Sequence, residues 1–445
     1  MRRNLSAPAI VVAAPHSGAG KTLVTLGLLR ALKNRGLRAA SFKTGPDYID
    51  PAFHARASGR PCRNLDSWAM RLETLAGLLA DAGADADIVV GEGVMGLFDG
   101  APDGTGSTAD LAALLGLPVL FVVDARRMAQ SVAPLIEGFL RFRSDVEIDA
   151  IVLNATGSER HRRTLLAACD ERFSTPVLGC LPRLDDLALP SRHLGLVQAA
   201  EHPGLEAFIE RAASVMEAHL DLDRLLRLAR RPSLDIVAAH SVRLWPAIGQ
   251  RIAVASDEAF AFIYPAVLDG WHRQGATVHP FSPLADEPPD AAADAVYLPG
   301  GYPELHAARL ARNRRFLDGL GTAAERGAFV YGECGGYMVL GRSLVDRDGH
   351  GHAMAGLLPV STSFAAPQLQ LGYRRLRLLE TTPLGRQNLA WRGHEFHYAH
   401  ETERAGPALF TATDARGTPL GAVGCIQGNI AGAFLHLIDR HPPFG

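Results

Sequence analysis

Pro15-His16-Ser17-Gly18-Ala19-Gly20-Lys21-Thr22 is the stretch on which the fold turns. It follows an apolar run, Ala9-Ile10-Val11-Val12-Ala13-Ala14, that reads as a buried strand. It opens a periodic apolar segment, residues 23–32, that reads as a helix. Strand, glycine turn, Lys-Thr and helix in that order predict a phosphate loop. Glycines let backbone N–H groups close around phosphate oxygens, and the helix N-terminus adds the positive end of its dipole. Ser17, Gly18 and Gly20 belong to that cradle, Lys21 reaches the terminal phosphates, and the Thr22 hydroxyl reaches Mg²⁺. Pro15 stands where such loops usually begin with glycine.

Working outward, a second strand at residues 38–42 runs into Lys43-Thr44-Gly45-Pro46-Asp47-Tyr48-Ile49-Asp50-Pro51. Loops at the carboxyl ends of parallel strands are where open α/β sheets bind ligands. Asp47 and Asp50 are each able to serve Mg²⁺ or a substrate there, although Asp and Pro also favour turns for their own sake. A helix at residues 73–81 precedes a strand at 87–90, which ends in Gly91-Glu92-Gly93-Val94-Met95-Gly96-Leu97-Phe98-Asp99-Gly100. Glu92 fits the acidic Mg²⁺ anchor expected at the end of a strand facing the phosphate loop. Asp99 lies in a glycine-rich segment that reads as an active-site loop. A helix at 107–115 and strands at 118–124, 148–154 and 176–180 continue the alternation. Asn154, closing its strand at the carboxyl edge, is placed to read a nucleotide base. Nearly all-apolar strands alternating with helices mean a parallel sheet covered on both faces.

This first domain is expected to span residues 1–225, with a linker at 226–248 where periodicity fades, and a second domain at 249–445. The second domain opens with strands at 251–255, 278–281, 295–298 and 329–333. The last of these runs into Cys334-Gly335-Gly336-Tyr337. Strand, Gly-x-Cys-Gly-Gly and helix make a nucleophile elbow with a thiol in place of a hydroxyl. The helix N-terminus is expected to lower the thiol's pKa, and the N–H of Gly335 to meet an oxyanion. Gly300-Gly301-Tyr302-Pro303-Glu304, at the end of a neighbouring strand, supplies the other half of that oxyanion hole through Gly301. The thiol needs a base, and His394, His397 and His436 all lie downstream. A thiol attacking a primary amide releases ammonia, and a phosphate loop with Mg²⁺ activates a carboxylate as an acyl phosphate. Together they point to a glutamine-dependent amidotransferase fused to an ATP-dependent amide ligase.

The totals bound the alternatives. At 445 residues two or three domains are expected. A net charge of −2 without basic blocks argues against a nucleic-acid partner. No apolar run approaches the roughly 20 residues of a membrane span, and no secretory signal is read in Met1-Arg2-Arg3-Asn4-Leu5. Cys62, Cys169, Cys180, Cys334 and Cys425 are scattered and odd in number, which argues for a reducing cytoplasm over a disulfide framework or a zinc site.

These residues resemble the a,c-diamide synthases of cobalamin biosynthesis. The resemblance covers nearly the whole chain. It is carried by residues 17–22 and 43–51, by Arg63-Asn64-Leu65-Asp66-Ser67-Trp68, and by residues 91–100. In the second half it is carried by residues 300–304, by Cys334-Gly335-Gly336-Tyr337-Met338, and by Gly393-His394-Glu395-Phe396-His397-Tyr398. Pro15 is usual in that family. The resemblance implies a dethiobiotin-synthetase-like ATP domain and a class I, flavodoxin-like glutamine amidotransferase domain. It implies Thr22, Asp47 and Glu92 as Mg²⁺ and phosphate residues, with Lys43 at the nucleotide. It puts Tyr48, Ile49, Asp50 and Asp99 at the corrinoid carboxylates or the acyl phosphate. It makes Cys334 the nucleophile and His436 its base. Class I glutaminases carry Glu two residues after that histidine, and here Ile438 stands there. A Cys-His pair without an acidic orienter is therefore expected, with weak glutaminase activity unless the ligase site is engaged. The implied substrate is hydrogenobyrinic acid or, on the anaerobic route, cobyrinic acid, with glutamine and ATP; a homodimer is compatible with these expectations. The rival readings are a cobyric acid synthase and a partitioning-type ATPase with a silent Cys334. The Gly-Pro-Asp-Tyr loop and the completeness of the motifs stand against them.

Overall fold

The computed structural model describes residues 7–184, 191–192, 195–196, 198–233 and 244–441. Of these, 7–68 and 72–233 form one compact unit, and 69–71 with 244–441 form a second. Among the described residues no helix is long and apolar enough to cross a membrane.

The first unit is a seven-stranded parallel sheet. Its strands are β1 (Ala9–Ala13), β2 (Ala39–Thr44), β3 (Cys62–Leu65), β4 (Ile88–Glu92), β5 (Val119–Asp124), β6 (Ile148–Thr156) and β7 (Val177–Pro182), in the order β3-β2-β4-β1-β5-β6-β7. β1, β2 and β4 are buried along their whole length, as strands covered on both faces must be. The expected helix after the phosphate loop spans Lys21–Asn34 and stops where Gly36 takes a φ of 83°. The helix expected before β5 spans Thr108–Leu115. Its cap is Ser107, whose side chain accepts from Asp110 N while Asp110 answers Ser107 N. Residues 205–230 form two helices, Leu205–His219 and Leu222–Leu228, because Leu220 is extended and Asp221 caps the second.

The second unit is built on a sheet ordered Thr277–Phe281, Arg251–Ala255, Ala295–Leu298, Phe329–Glu333, Ile430–Ala433, with Cys425–Gln427 antiparallel on the far edge. Counting its five parallel strands along the chain gives the order 2-1-3-4-5, the flavodoxin-like winding. A five-stranded antiparallel sheet adds Gln370–Leu378, Ala390–His397 and, as an edge strand, His436–His441.

The span expected as the linker, 226–248, is tied to a unit at each of its described ends. Arg230 pairs with Ala9 through both backbone groups, and Ser233 N donates to Leu115 O, so the chain up to 233 belongs to the first unit. At the other end Trp245 is buried against Trp271, Tyr297, Tyr331 and Trp391, with ring centroids 5.7–6.2 Å away. Trp271 Nε1 donates to Pro246 O, which ties this segment into the second core. A single anchoring tryptophan carries no periodic signal, so composition hid it. The rest of the expected linker, 234–243, lies outside the described residues, as do Met1-Arg2-Arg3-Asn4-Leu5.

Candidate functional site

The parallel register of the first sheet sets Val12, Glu92 and Lys43 side by side at the carboxyl ends of β1, β4 and β2. Beside them Gly18 and Gly20 take φ values of 81° and 102°, the left-handed turn that carries the loop into its helix. Thr22 Oγ1 donates to Glu92 Oε1 at 2.6 Å. The same oxygen receives Lys43 Nζ at 2.9 Å, and the other lies 2.7 Å from His54 Nε2. Lys43 also meets Asp50 at 2.5 Å and stands 3.9 Å from Asp47. Burial alone would push Glu92 up, but Lys43, His54 and Thr22 outweigh it and hold the carboxyl well below its usual range. Burial likewise opposes charge on Lys43, and Asp50, Glu92 and Asp47 together hold its ammonium above its normal value. His54, also buried, is raised to about 10 by Cys62 and Glu92. The cluster is a set of paired charges buried together.

Other expected residues have mixed placements. Lys21 Nζ donates to Met95 O at 2.5 Å, and burial lowers its pKa to about 8. Asp47 Oδ1 accepts from Ile49 N and Asp50 N, so half of this carboxylate shapes the turn. Ile49 is buried, Tyr48 half-buried, and Asp50 is raised by burial and by the charge of Asp47. Asp99 Oδ2 accepts from Gly96 N at 2.7 Å, in a segment bonded to the phosphate-loop strand through Leu97 N and Ala14 O. Ser17 is exposed on the loop. Asn154, expected at a nucleotide base, contacts the phosphate loop itself. Its Nδ2 donates to Ala19 O at 2.9 Å and sits where a Cβ on Gly20 would come within 2.2 Å. It braces the loop from below. His54 was not singled out by the sequence reading; its only signal was one turn of spacing from Asp50 on the helix Asp50–Ser58.

In the second unit Cys334 has φ 48° and ψ −106°, a conformation a side chain adopts only under constraint. Cys334 N donates to Ala433 O on the neighbouring strand, which brings the start of the strand His436–His441 to the elbow. Gly300 marks the meeting point. A Cβ there would lie 2.5 Å from His436 Cε1, 3.3 Å from its Nε2 and 3.2 Å from Cys334 Cβ, so thiol and imidazole flank one glycine. A Cβ on Gly335 would lie 3.2 Å from Gly301 N, which sets the two expected oxyanion-hole glycines together. Of the three histidines left open, His436 faces the thiol. His394 stacks on its ring at 4.9 Å, and His397 is engaged with Ala399 O and Glu395.

Two expectations are corrected here. The thiol's pKa is raised, not lowered: burial and then the Glu304 carboxylate push it up, and the N–H of Gly335 is too weak to compensate. Burial, with His394 and His397, holds His436 well below its usual value. The resting pair is therefore a neutral thiol and a neutral imidazole. Nor is the pair without a nearby acid. Ile438 is fully buried and apolar, but Glu333 Oε2 lies 3.9 Å from His436 Nδ1. The sequence reading passed over Glu333 as the last residue of a strand.

Residues 10–197 match the model of the CobQ/CobB/MinD/ParA nucleotide binding domain, and residues 251–444 that of the CobB/CobQ-like glutamine amidotransferase domain. Hydrogenobyrinate a,c-diamide synthase of Brucella abortus is 55% identical over 437 residues, covering 96% of this chain and 98% of that relative. Its namesake from a Sinorhizobium species is 52% identical, covering 97% and 98%. The Rhodobacter capsulatus namesake is 49% identical, covering 96% and 98%.

Proposed function

The chain belongs to the hydrogenobyrinate a,c-diamide synthase family, and from that premise we propose that it converts the a- and c-acetate carboxylates of hydrogenobyrinic acid to amides, using ATP and glutamine. The observation that carries this reading is the pairing in one chain of a phosphate loop ringed by Thr22, Lys43 and Glu92 with a thiol and an imidazole flanking Gly300.

In the first unit, the N–H groups of residues 17–22 and Lys21 hold the nucleotide phosphates. Thr22, Asp47 and Glu92 would hold Mg²⁺. The fit rests on their chemistry, since a hydroxyl oxygen and a carboxylate oxygen already meet at 2.6 Å and all three residues offer the hard oxygen donors Mg²⁺ takes. Mg²⁺ supplies neutralisation of phosphate charge there. A corrinoid carboxylate oxygen attacks the γ-phosphorus, ADP departs, and an acyl phosphate is left. Lys43, fixed by Asp50 and Glu92, offers a charge-assisted donor toward the anions, and Tyr48, Ile49, Asp50 and Asp99 border the substrate. In the second unit His436 Nε2 takes the Cys334 proton as Sγ bonds to the glutamine carboxamide carbon. The carbonyl electron pair moves onto oxygen, facing the N–H groups of Gly301 and Gly335. Collapse expels ammonia with the proton from His436, and water cleaves the thioester to glutamate. Ammonia displaces phosphate from the acyl phosphate once per side chain.

The test is Cys334→Ala. Glutamine-driven amidation should fall by about a thousandfold or more while amidation with ammonium salts persists. Loss of both would contradict two separate sites. Mass analysis of products from metal-free and cobalt-containing substrates checks the corrinoid. The shared name of the relatives supports the metal-free acid.

A further inference from the structure

Glu333 is as deeply buried as the nucleophile it precedes. Its Oε1 accepts from Leu437 N at 3.0 Å and from the Tyr331 hydroxyl at 3.3 Å. Its Oε2 accepts from the Tyr297 hydroxyl at 2.8 Å and stands 3.9 Å from His436 Nδ1. We propose that Glu333 is the positioning residue of His436, supplying from the nucleophile's own strand the carboxylate that Ile438 does not supply from beyond the histidine. The inference rests on the glutaminase reading of Cys334 and His436.

Three donors converge on this one carboxyl, and hydrogen bonds of that kind favour its ionised form. Burial opposes them and pushes it up to about 8. The balance is therefore close to neutrality, where a neighbouring charge decides it. That charge arises when His436 takes the thiol proton. When Nε2 takes the thiol proton, the Nδ1–H of the imidazolium faces Oε2 of the ionised carboxyl, so no second proton moves, and the 3.9 Å separation shortens toward a hydrogen bond, as catalytic contacts do in the loaded enzyme. One face of the ring is covered by His394, which burial holds at about 3 and so leaves uncharged. The anchoring bond to Leu437 N, adjacent to His436, fixes the same ring through the backbone. The carboxyl is itself immobilised by Tyr297 and Tyr331, both packed on Trp245.

A carboxyl that merely anchored Leu437 would be replaceable by an amide, which keeps an acceptor oxygen. Glu333→Gln therefore separates charge from anchoring. Expected is a fall in kcat for glutamine hydrolysis of about 10–100-fold, with KM within about twofold and the thermal midpoint near that of the parent. Glu333→Asp, which keeps the charge on a shorter arm, should recover part of kcat. A parental kcat in Glu333→Gln overturns the inference. Equal losses in both variants with a lowered midpoint also overturn it, by making the role structural. If Glu333→Gln does not fold, Glu333→Asp decides: reduced kcat at unchanged KM supports the inference, and parental kcat sinks it. Cys334→Ala is run alongside. Glutamine hydrolysis surviving there overturns the thiol reading and this inference with it. Loss there beside a parental Glu333→Gln overturns this inference alone.

Discussion

The two sites solve opposite electrostatic problems. Around the phosphate loop, Glu92, Lys43 and His54 are buried and charged together, each holding the next in its ionised state, while burial and Asp47 raise Asp50 beside them to about 7. Around the elbow, Cys334 and His436 are just as buried and are held neutral. Solvation explains the contrast. A buried charge survives only with a partner of opposite sign at hydrogen-bond distance, and the register of β2 and β4 delivers that partner. Burial and the Glu304 carboxylate keep the thiol's proton on until substrate arrives. A site that binds phosphates and metal is best preformed. A site that would waste glutamine is best left uncharged until engaged.

Breaking the charged site should have the larger effect. Glu92→Gln removes a buried negative charge facing Thr22, Lys43 and His54. Amidation should fall by about 10²–10³-fold with glutamine and with ammonium alike. Cys334 should still be labelled by a reactive glutamine analogue at the parental rate. Normal amidation by this variant would end the Mg²⁺ assignment, and loss of labelling would mean that the neutral site depends on the charged one for its fold. Gly300→Ala tests the other side of the comparison. Its methyl carbon would occupy the space between His436 and Cys334, 2.5 Å from the ring. Glutamine-driven turnover should drop by about 10–100-fold, because misplacing the base by an ångström carries a cost of that order. Nucleotide affinity, measured by calorimetry, should stay at the parental value.

How far each site was legible in the sequence follows from the same contrast. Thr22, Glu92 and Cys334 sit at strand ends or in turns, and turn geometry dictates residue type locally. Apolar runs gave β1, β4, β5 and the strand Phe329–Glu333 close to their observed bounds, because strands buried on both faces cannot be polar. What stayed hidden depends on neighbours distant in the chain. His54 matters because Glu92 is bonded to it across 38 positions. Glu333 matters because the strands Phe329–Glu333 and Ile430–Ala433 are neighbours. Trp245 looked like linker because its packing partners begin 26 residues later, at Trp271. Asn154 was placed at the right edge of the sheet, but its bond to Ala19 O spans 135 positions and carries no local signal. The protonation of Cys334 was misjudged from its helix N-terminus, because a six-residue helix cannot offset full burial beside Glu304.

The smallest predicted effect sharpens the boundary between the two regimes, because Lys21 belongs to the charged site but is only loosely held in its charged form. Burial pulls its pKa from 10.5 to about 8, with Glu92 opposing the shift and Lys43 adding to it. The protein without nucleotide therefore loses this proton as pH rises through about 8. Phosphate oxygens at Lys21 favour the ammonium, so nucleotide binding must raise the pKa and take up a proton. The sign and window follow. At pH 7 Lys21 is already charged and nothing is taken up by it. Between pH 8 and 9 uptake should climb toward ~1 proton per ATP, and apparent affinity should weaken by up to about tenfold per pH unit above the free-protein value. Titration calorimetry at pH 7.5 and 8.5, in buffers of different ionisation enthalpy, measures that uptake directly. Equal uptake at both pH values would mean that Glu92 and Asp50 already keep Lys21 fully charged, and would extend the preformed character of the cluster to the phosphate loop itself.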